Sequence, residues 1–217
     1  MEILDIMKER HSVRSYTEKT IEEEKKEALL KIIDECNKDY NLNIQALFDE
    51  PKCFDSFMAH YGKFSNVKNY IALVGPKSEK LDELLGYCGE KIVLAAQEMG
   101  LNTCWVAMTH GKSAAKINKN EKQVCLISLG YVKTQGVTHN VKDISEVCNQ
   151  TENMPDWFAK GMKAVLLAPT AMNQQKFYFT LDNDNVTANV KGVGFYSKVD
   201  LGIVKYHFEA VTGKKVN

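Results

Sequence analysis

The stretch from Tyr70 to Tyr131 limits the fold more than any other part of this sequence. It holds three apolar runs of strand length: YIALVG (70–75), CWVAM (104–108) and VCLISLGY (124–131). Between the first two lies a segment, 82–99, in which Leu85, Cys88, Ile92, Ala95, Ala96 and Met99 recur at helical spacing. Short continuous apolar runs read as buried strands, and the longer periodic one as a helix with one apolar face. Gly75-Pro76 ends the first strand. Gly100 follows the helix as its C-cap.

The same reading extends to both sides. Ile3, Leu4, Ile6 and Met7 share a helical face over 2–9. Segment 21–36 starts with Glu22, Glu23 and Glu24, which suit a helix N-terminus, and continues with Ala28, Leu29, Ile32 and Ile33. CNKDYNLN breaks that pattern, and IQALF (44–48) reads as a strand. DISEVCNQTENMPDW (143–157) is polar and turn-rich, a linker that divides the chain into 1–150 and 151–217. Beyond it come a helix (157–168) and KFYFTL, with Phe177, Phe179 and Leu181 on one side. NDN makes a turn, VTANVK returns, and a last helix covers about 199–212. Helix, Asn-rich loop and strand at 24–48 recur at 157–181, and glycine-ended helices follow each (82–100 and 199–213). A half-domain duplication and the sheer commonness of helix–loop–strand units both account for that echo.

Composition removes several classes of function. With 28 basic and 28 acidic residues the formal charge is zero, whereas nucleic-acid binders carry a basic excess. No apolar run approaches the ~20 residues that span a bilayer, and MEILDIMKER does not read as a signal peptide. Six cysteines without CxxC spacing fit reduced thiols and a cytoplasmic protein. There is no GxGxxG, P-loop, HExxH or GxSxG. His60, His110 and His207 lack metal-ligand spacing, so no metal is expected.

One short stretch asks for a ligand. RHSVRSY (10–16) crowds Arg10, His11, Ser12 and Arg14 into five positions directly after an amphipathic helix. Either these donors face water or they hold an anion. A helix ending in R-x-S-x-R resembles the N-terminal signature of the FMN-dependent nitroreductase family. Three further stretches resemble the same family: LGYCGEKIVLAAQEMGLNTCWVA (85–107), VCLISLGYVKTQGVTHNVKDISEV (124–147) and APTAMNQQ (168–175), the last similar to its A-P-S-x-x-N-x-Q segment. Together they cover most of the chain. The order differs from typical members, in which that last segment follows R-x-S-x-R closely. Here IIDECNKDYNLNIQ (32–45) fills that slot and the motif lies near the C-terminus.

The resemblance implies an α+β protein: a nitroreductase-like α/β/α layered fold, with a central mixed, mostly antiparallel sheet flanked by helices. It implies FMN as cofactor and NADH or NADPH as electron donor. Arg10, His11 and Ser12 would then take the phosphate and ribityl end, and Arg14 the N1/O2 edge, where a cation stabilises the reduced anion. Pro169 and Thr170 would lie near the ring, and Asn173 and Gln175 would bond the ribityl or pyrimidine groups. Lys142 would reach the phosphate. Ala107 and Met108 would offer backbone N–H groups to N5 and O4, although the family has glycine where this chain has MTHG. No catalytic side chain is required, because the redox chemistry belongs to the cofactor. The function so implied is transfer of electrons from NAD(P)H through flavin N5 to a nitroaromatic, quinone or similar flat acceptor. The alternative is a flavin-binding or degenerate relative without turnover. With the last motif carried in an appended second half, a monomer could complete its site within one chain. A homodimer sharing that segment is the other arrangement.

Overall fold

Asn69–Pro76 is buried almost throughout, Tyr70 to Val74 without measurable exposure. That explains why its sequence is a continuous apolar run rather than an alternating one, since both faces of the strand are covered. It is the second strand of the chain. The computed structural model describes residues 1–217. Its helices are α1 (Ile3–Glu9), α2 (Glu23–Tyr40), α3 (Phe57–Tyr61), α4 (Leu81–Glu98), α5 (Ile144–Val147), α6 (Asp156–Leu166) and α7 (Ser197–Thr212). Its strands are β1 (Gln45–Leu47), β2 (Asn69–Pro76), β3 (Asn102–Val106), β4 (Glu121–Gly130), β5 (Phe177–Asp182) and β6 (Asn185–Val190). The chain therefore has the α+β character expected of it, and its named strands pair only antiparallel where a mixed, mostly antiparallel sheet was expected.

Two units form, each from separate pieces of the chain. One comprises residues 9–81 and 92–137; the other comprises 1–8, 82–91 and 138–217. The first holds a four-stranded sheet in the order β1-β2-β4-β3, antiparallel at every pairing. Ile71 stands opposite Ile127 and Trp105 opposite Ile127 on the other edge, and a register shift interrupts β2 between Leu73 and Val74. One face of this sheet is packed by Tyr70, Ala72, Val74, Cys104, Val106 and Leu126 against Val13, Tyr16, Phe54 and Phe64. Phe54 and Phe64 meet edge-on, their ring centroids 5.2 Å apart, an arrangement aromatic quadrupoles favour. Helix α2 buries Leu29, Ile33 and Cys36, spaced four and three residues apart. It ends on Asn41 in the left-handed conformation (φ 52°), whose N–H bonds the Asn37 carbonyl.

The second unit contains a two-stranded hairpin, β5–β6, in register from Phe177–Val190 to Asp182–Asn185. Phe177 and Phe179 point inward, as their alternation predicts. Phe179 stacks on Phe208 of α7 at 5.4 Å, and Phe158 of α6 meets the same ring at 5.6 Å. Trp157 joins this cluster half-buried, 6.3 Å from Phe208. Two glycines bring α7 against the first turns of α4: a Cβ on Gly202 would fall 1.9 Å from the Glu83 carbonyl oxygen, and one on Gly86 2.1 Å from that of Val199.

Three sequence expectations shift here. The 104–108 strand lies two residues earlier, at Asn102–Val106, because Asn102 and Thr103 pair with Gly130 and Leu129 and extend the ladder backward. Within the polar stretch read as a linker, Asp143 and Glu146 form a reciprocal capping box that nucleates α5. Helix α3 went unforeseen. It is one turn long, and all of its residues but Ala59, namely Phe57, Met58, His60 and Tyr61, are exposed, so no amphipathic period marks it. Its N-cap is Ser56, whose hydroxyl accepts the Ala59 N–H. No helix is long and apolar enough to cross a membrane.

Candidate functional site

After α1 the RHSVRSY stretch runs extended beside the sheet. Ser12 forms a parallel bridge with Thr103 of β3, and the Val13 N–H bonds the Thr103 carbonyl at 3.2 Å. Ser15 bridges Ser65, and Tyr16 bridges Val132. Val13 and Tyr16 are thereby fixed in the core, while Ser12 and Arg14 project to the exposed side. Tyr16 secures the inward register. Its hydroxyl donates to the Val13 carbonyl at 3.2 Å and lies 2.7 Å from Ser128 Oγ, and burial holds its pKa well above the usual phenol value. Two apolar anchors thus set the direction of the polar side chains.

The four donors differ in setting. Arg10 is 4% exposed. Arg14 lies over the Phe64 ring, 5.8 Å from its centroid. Burial, with the Arg10 charge beside it, lowers the His11 pKa, so the ring is neutral at neutral pH and can donate or accept one hydrogen bond. The Cys104 thiol lies close to this group. Burial raises its pKa, while the Arg14 charge, a hydrogen bond from Ser12 and the Arg10 charge pull it down. Two guanidinium groups, a hydroxyl and a neutral imidazole on one extended segment are a donor set for an anion.

Ala107 and Met108 follow β3 directly. Ala107 is half-buried and Met108 is 67% exposed. The loop they open is tied down at its far end. The Gly111 N–H donates to the Cys53 carbonyl at 2.7 Å, and His110 Nδ1 bonds the Gly111 carbonyl at 2.6 Å. The turn after α3 approaches the same loop, since a Cβ on Gly62 would fall 2.6 Å from Thr109 Cβ.

The other expected residues belong to the second unit, in a loop that folds on itself. Met172, Asn173 and Gln175 all take positive φ, at 53°, 53° and 46°. The Gln175 side chain is 3% exposed and fully occupied. Its Nε2 donates to the Asn140 carbonyl (2.9 Å) and to Asn173 Oδ1 (3.0 Å), and its Oε1 accepts the Lys142 N–H (2.9 Å). Asn173 Nδ2 also donates to Asn140, at 2.8 Å. Thr170 Oγ1 accepts the Gln175 N–H at 3.1 Å and keeps its own proton to donate. Lys142 Nζ donates to the Gln175 carbonyl at 3.0 Å. Lys142, Thr170, Asn173 and Gln175 are therefore brought together, with Pro169 half-buried beside them. Gln175 serves the loop's own shape, and the donors left at the surface come from Thr170, Asn173 and Lys142.

Two contributors were missed in the sequence. Asp200, in the first turns of α7, accepts the Ala171 N–H at 2.9 Å and Gln174 Nε2 at 2.7 Å. Gln174 uses its remaining amide proton on the Phe195 carbonyl, at 2.8 Å. Asp200 sits among apolar helical neighbours with no motif around it. The one available signal was an acidic residue on the buried face of a helix.

The sequence profile of a family described as "Putative TM nitroreductase" matches residues 2–212. Among solved structures, a "putative nitroreductase" from Thermotoga maritima MSB8 superposes with a TM-score of 0.69 at 22% identity, over 97% of this chain and 83% of its own. An "FMN-dependent Nitroreductase" from Clostridium difficile R20291 gives 0.53 at 20% identity, over 69% of this chain and 98% of its own. A "Putative NADH Oxidase" from Clostridium acetobutylicum gives 0.53 at 21%, over 68% and 99%. At these identities the structural likeness speaks for the fold. No curated protein matches the chain in sequence.

Proposed function

The chain belongs to the nitroreductase family that this profile describes, and from that premise we propose that it is an FMN-dependent oxidoreductase. When bound, FMN would carry electrons from NADH or NADPH to a flat acceptor such as a nitroaromatic or a quinone. The observation that carries the reading is the donor row of the first unit: Arg10, His11, Ser12 and Arg14 on a segment whose inward residues, Val13 and Tyr16, are locked in the core. In this reading Arg10, His11 and Ser12 hold the phosphate and ribityl end. Arg14 sets a cation at the N1/O2 edge. The backbone N–H groups of Ala107 and Met108 would be offered to N5 and O4. The names of the Clostridium difficile and Clostridium acetobutylicum neighbours agree with a flavin and a nicotinamide donor.

Lys142, Thr170 and Asn173 supply the second donor set of the same reading, with Pro169 beside them and Gln175 bracing the loop from within, contributed by the same chain or by a partner copy. Mixing an Arg10→Ala chain with an Asn173→Ala chain distinguishes these. FMN binding returns in part if the set is exchanged between copies, and does not return if each chain serves itself.

Titration with FMN, followed by quenching of its fluorescence, tests the reading directly. A charge-assisted phosphate contact is worth about 1.5–3 kcal/mol. Arg10→Ala is therefore expected to weaken binding by roughly tenfold or more, and Arg14→Ala to lower the flavin potential. Unchanged affinity and potential in both variants would refute these roles. A second reading, flavin binding without turnover, is favoured by Met108, Thr109 and His110 in the loop after β3. FMN-loaded protein that NADH and NADPH both fail to bleach would establish it.

A further inference from the structure

Asp200 holds the loop 169–175 in a conformation the loop does not favour by itself. Three of its residues with side chains stand at positive φ, a region L-residues enter at a cost and keep only where their surroundings over-determine them. Gln175, Asn140 and Lys142 brace one side of the loop. On the other side the sole carboxylate bonded to it is that of Asp200, 2% exposed, with one oxygen on the Ala171 N–H and the other on Gln174 Nε2. Both donors are neutral, and no cation offsets the buried charge. Charged groups on the neighbouring elements are otherwise engaged: Glu83 of α4 with Lys205 (2.8 Å), Glu90 of α4 with His207 (2.9 Å), and Lys176 with the Val193 carbonyl. Tyr87 of α4 donates to Glu209 at 2.8 Å. Lys198, on Asp200's own helix, is exposed.

We propose that Asp200 is a positioning residue whose ionised carboxylate clamps the 169–175 loop, and that loss of its charge in mild acid loosens the loop and weakens ligand binding there. The ligand is FMN, so this part rests on the function proposed above. Burial raises the carboxyl pKa to about 6, while the Gln174 and Ala171 hydrogen bonds act in the opposite direction. The sign follows. A folded-state pKa above the unfolded value contributes stability that is fully present below the unfolded pKa and lost as pH rises through about 6. Releasing the loop while α7 keeps the carboxyl buried removes the two hydrogen bonds that lower its pKa, so the ionised form favours the bound loop even though burial makes that form a burden on the fold as a whole. Between pH 5 and 7, loop order rises while the Asp200 contribution to global stability falls.

Hydrogen exchange of the FMN-free chain reads the loop without any ligand. The Ala171 amide, corrected for intrinsic exchange, is expected to gain protection roughly tenfold from pH 5 to 7.5. In Asp200→Asn it should stay at the low level throughout. Wild-type FMN affinity should fall as the pH drops through about 6, toward that of Asp200→Asn, which is flat. Gln174→Ala, which leaves the carboxylate in place, guards against a misfolded Asp200 variant. It removes a hydrogen bond that lowers the pKa, so the midpoint should move up. Ala171 protection that is independent of pH in the wild type overturns the clamp, whether or not FMN binds. Protection that follows pH while FMN affinity does not overturns the link to the ligand. Absence of FMN binding at every pH refutes the proposed function, and the exchange data then decide the clamp alone.

Discussion

Replacing Gly202 with alanine pits helix propensity against packing. Gly202 lies inside α7, where alanine is favoured over glycine by about 1 kcal/mol. A Cβ at this position would stand 1.9 Å from the Glu83 carbonyl oxygen and 2.6 Å from the Tyr87 N. Both obstacles are backbone, so no rotamer change relieves them. Ordinary contact begins near 3.4 Å, so the helices must part by about 1.5 Å, the difference between 3.4 and 1.9. Overpacking of this kind costs about 1–3 kcal/mol. The upper end applies because the movement also stretches the Lys205–Glu83, Tyr87–Glu209 and His207–Glu90 bonds along the same crossing. Subtracting the propensity gain leaves a net loss of about 2 kcal/mol, or roughly 4–8 °C in Tm for a chain of this size. Thermal unfolding followed by circular dichroism measures it. A Gly202→Ala variant with an equal or higher Tm would show that propensity wins and that the helix crossing is looser than described.

The buried pair His207–Glu90 offers a second test. His207 Nδ1 donates to the Ala164 carbonyl at 2.8 Å, and Nε2 lies 2.9 Å from Glu90 Oε1, with both side chains fully buried. Glu90→Leu strands Nε2 and should cost about 1–3 kcal/mol. Adding His207→Leu should recover part of that in denaturant titrations, and strictly additive losses would contradict the coupling. All six cysteines are buried thiols outside any disulfide, and burial pushes Cys53 up to about 11. Ellman's reagent should therefore react slowly with the native protein and release six equivalents in guanidinium. Rapid native labelling would refute that burial.

Local chemistry made much of this protein legible. The strands β2, β3 and β4 and helices α2, α4, α6 and α7 follow from apolar periodicity, because a residue's burial is repeated at the spacing of the element that carries it. RHSVRSY stood out as a donor set because so many polar side chains in five positions need water or a ligand. What it could not show was the burial of Arg10, which depends on the packing of its surroundings. Alternation read Phe177 and Phe179 inward. Only the folded unit supplied the Phe208 ring on which Phe179 stacks, since that partner comes from a distant helix.

Residues close together in the chain were enough to specify most of the elements, though not α3 or α5, the nitroreductase resemblance that implies the α+β class, and the polar character of 10–14 and 168–175. Folding in three dimensions was needed to join residues 82–91 and 138–217 in one unit, to make Gly86 and Gly202 sites of helix contact, and to turn Gln175 into the brace of a loop. It also put Asp200 behind that loop, 29 residues from the Ala171 N–H it accepts. A buried carboxylate leaves no periodic trace. Its role is set by which backbone donors the fold brings to it, and those donors are chosen by packing across the chain rather than by neighbours along it.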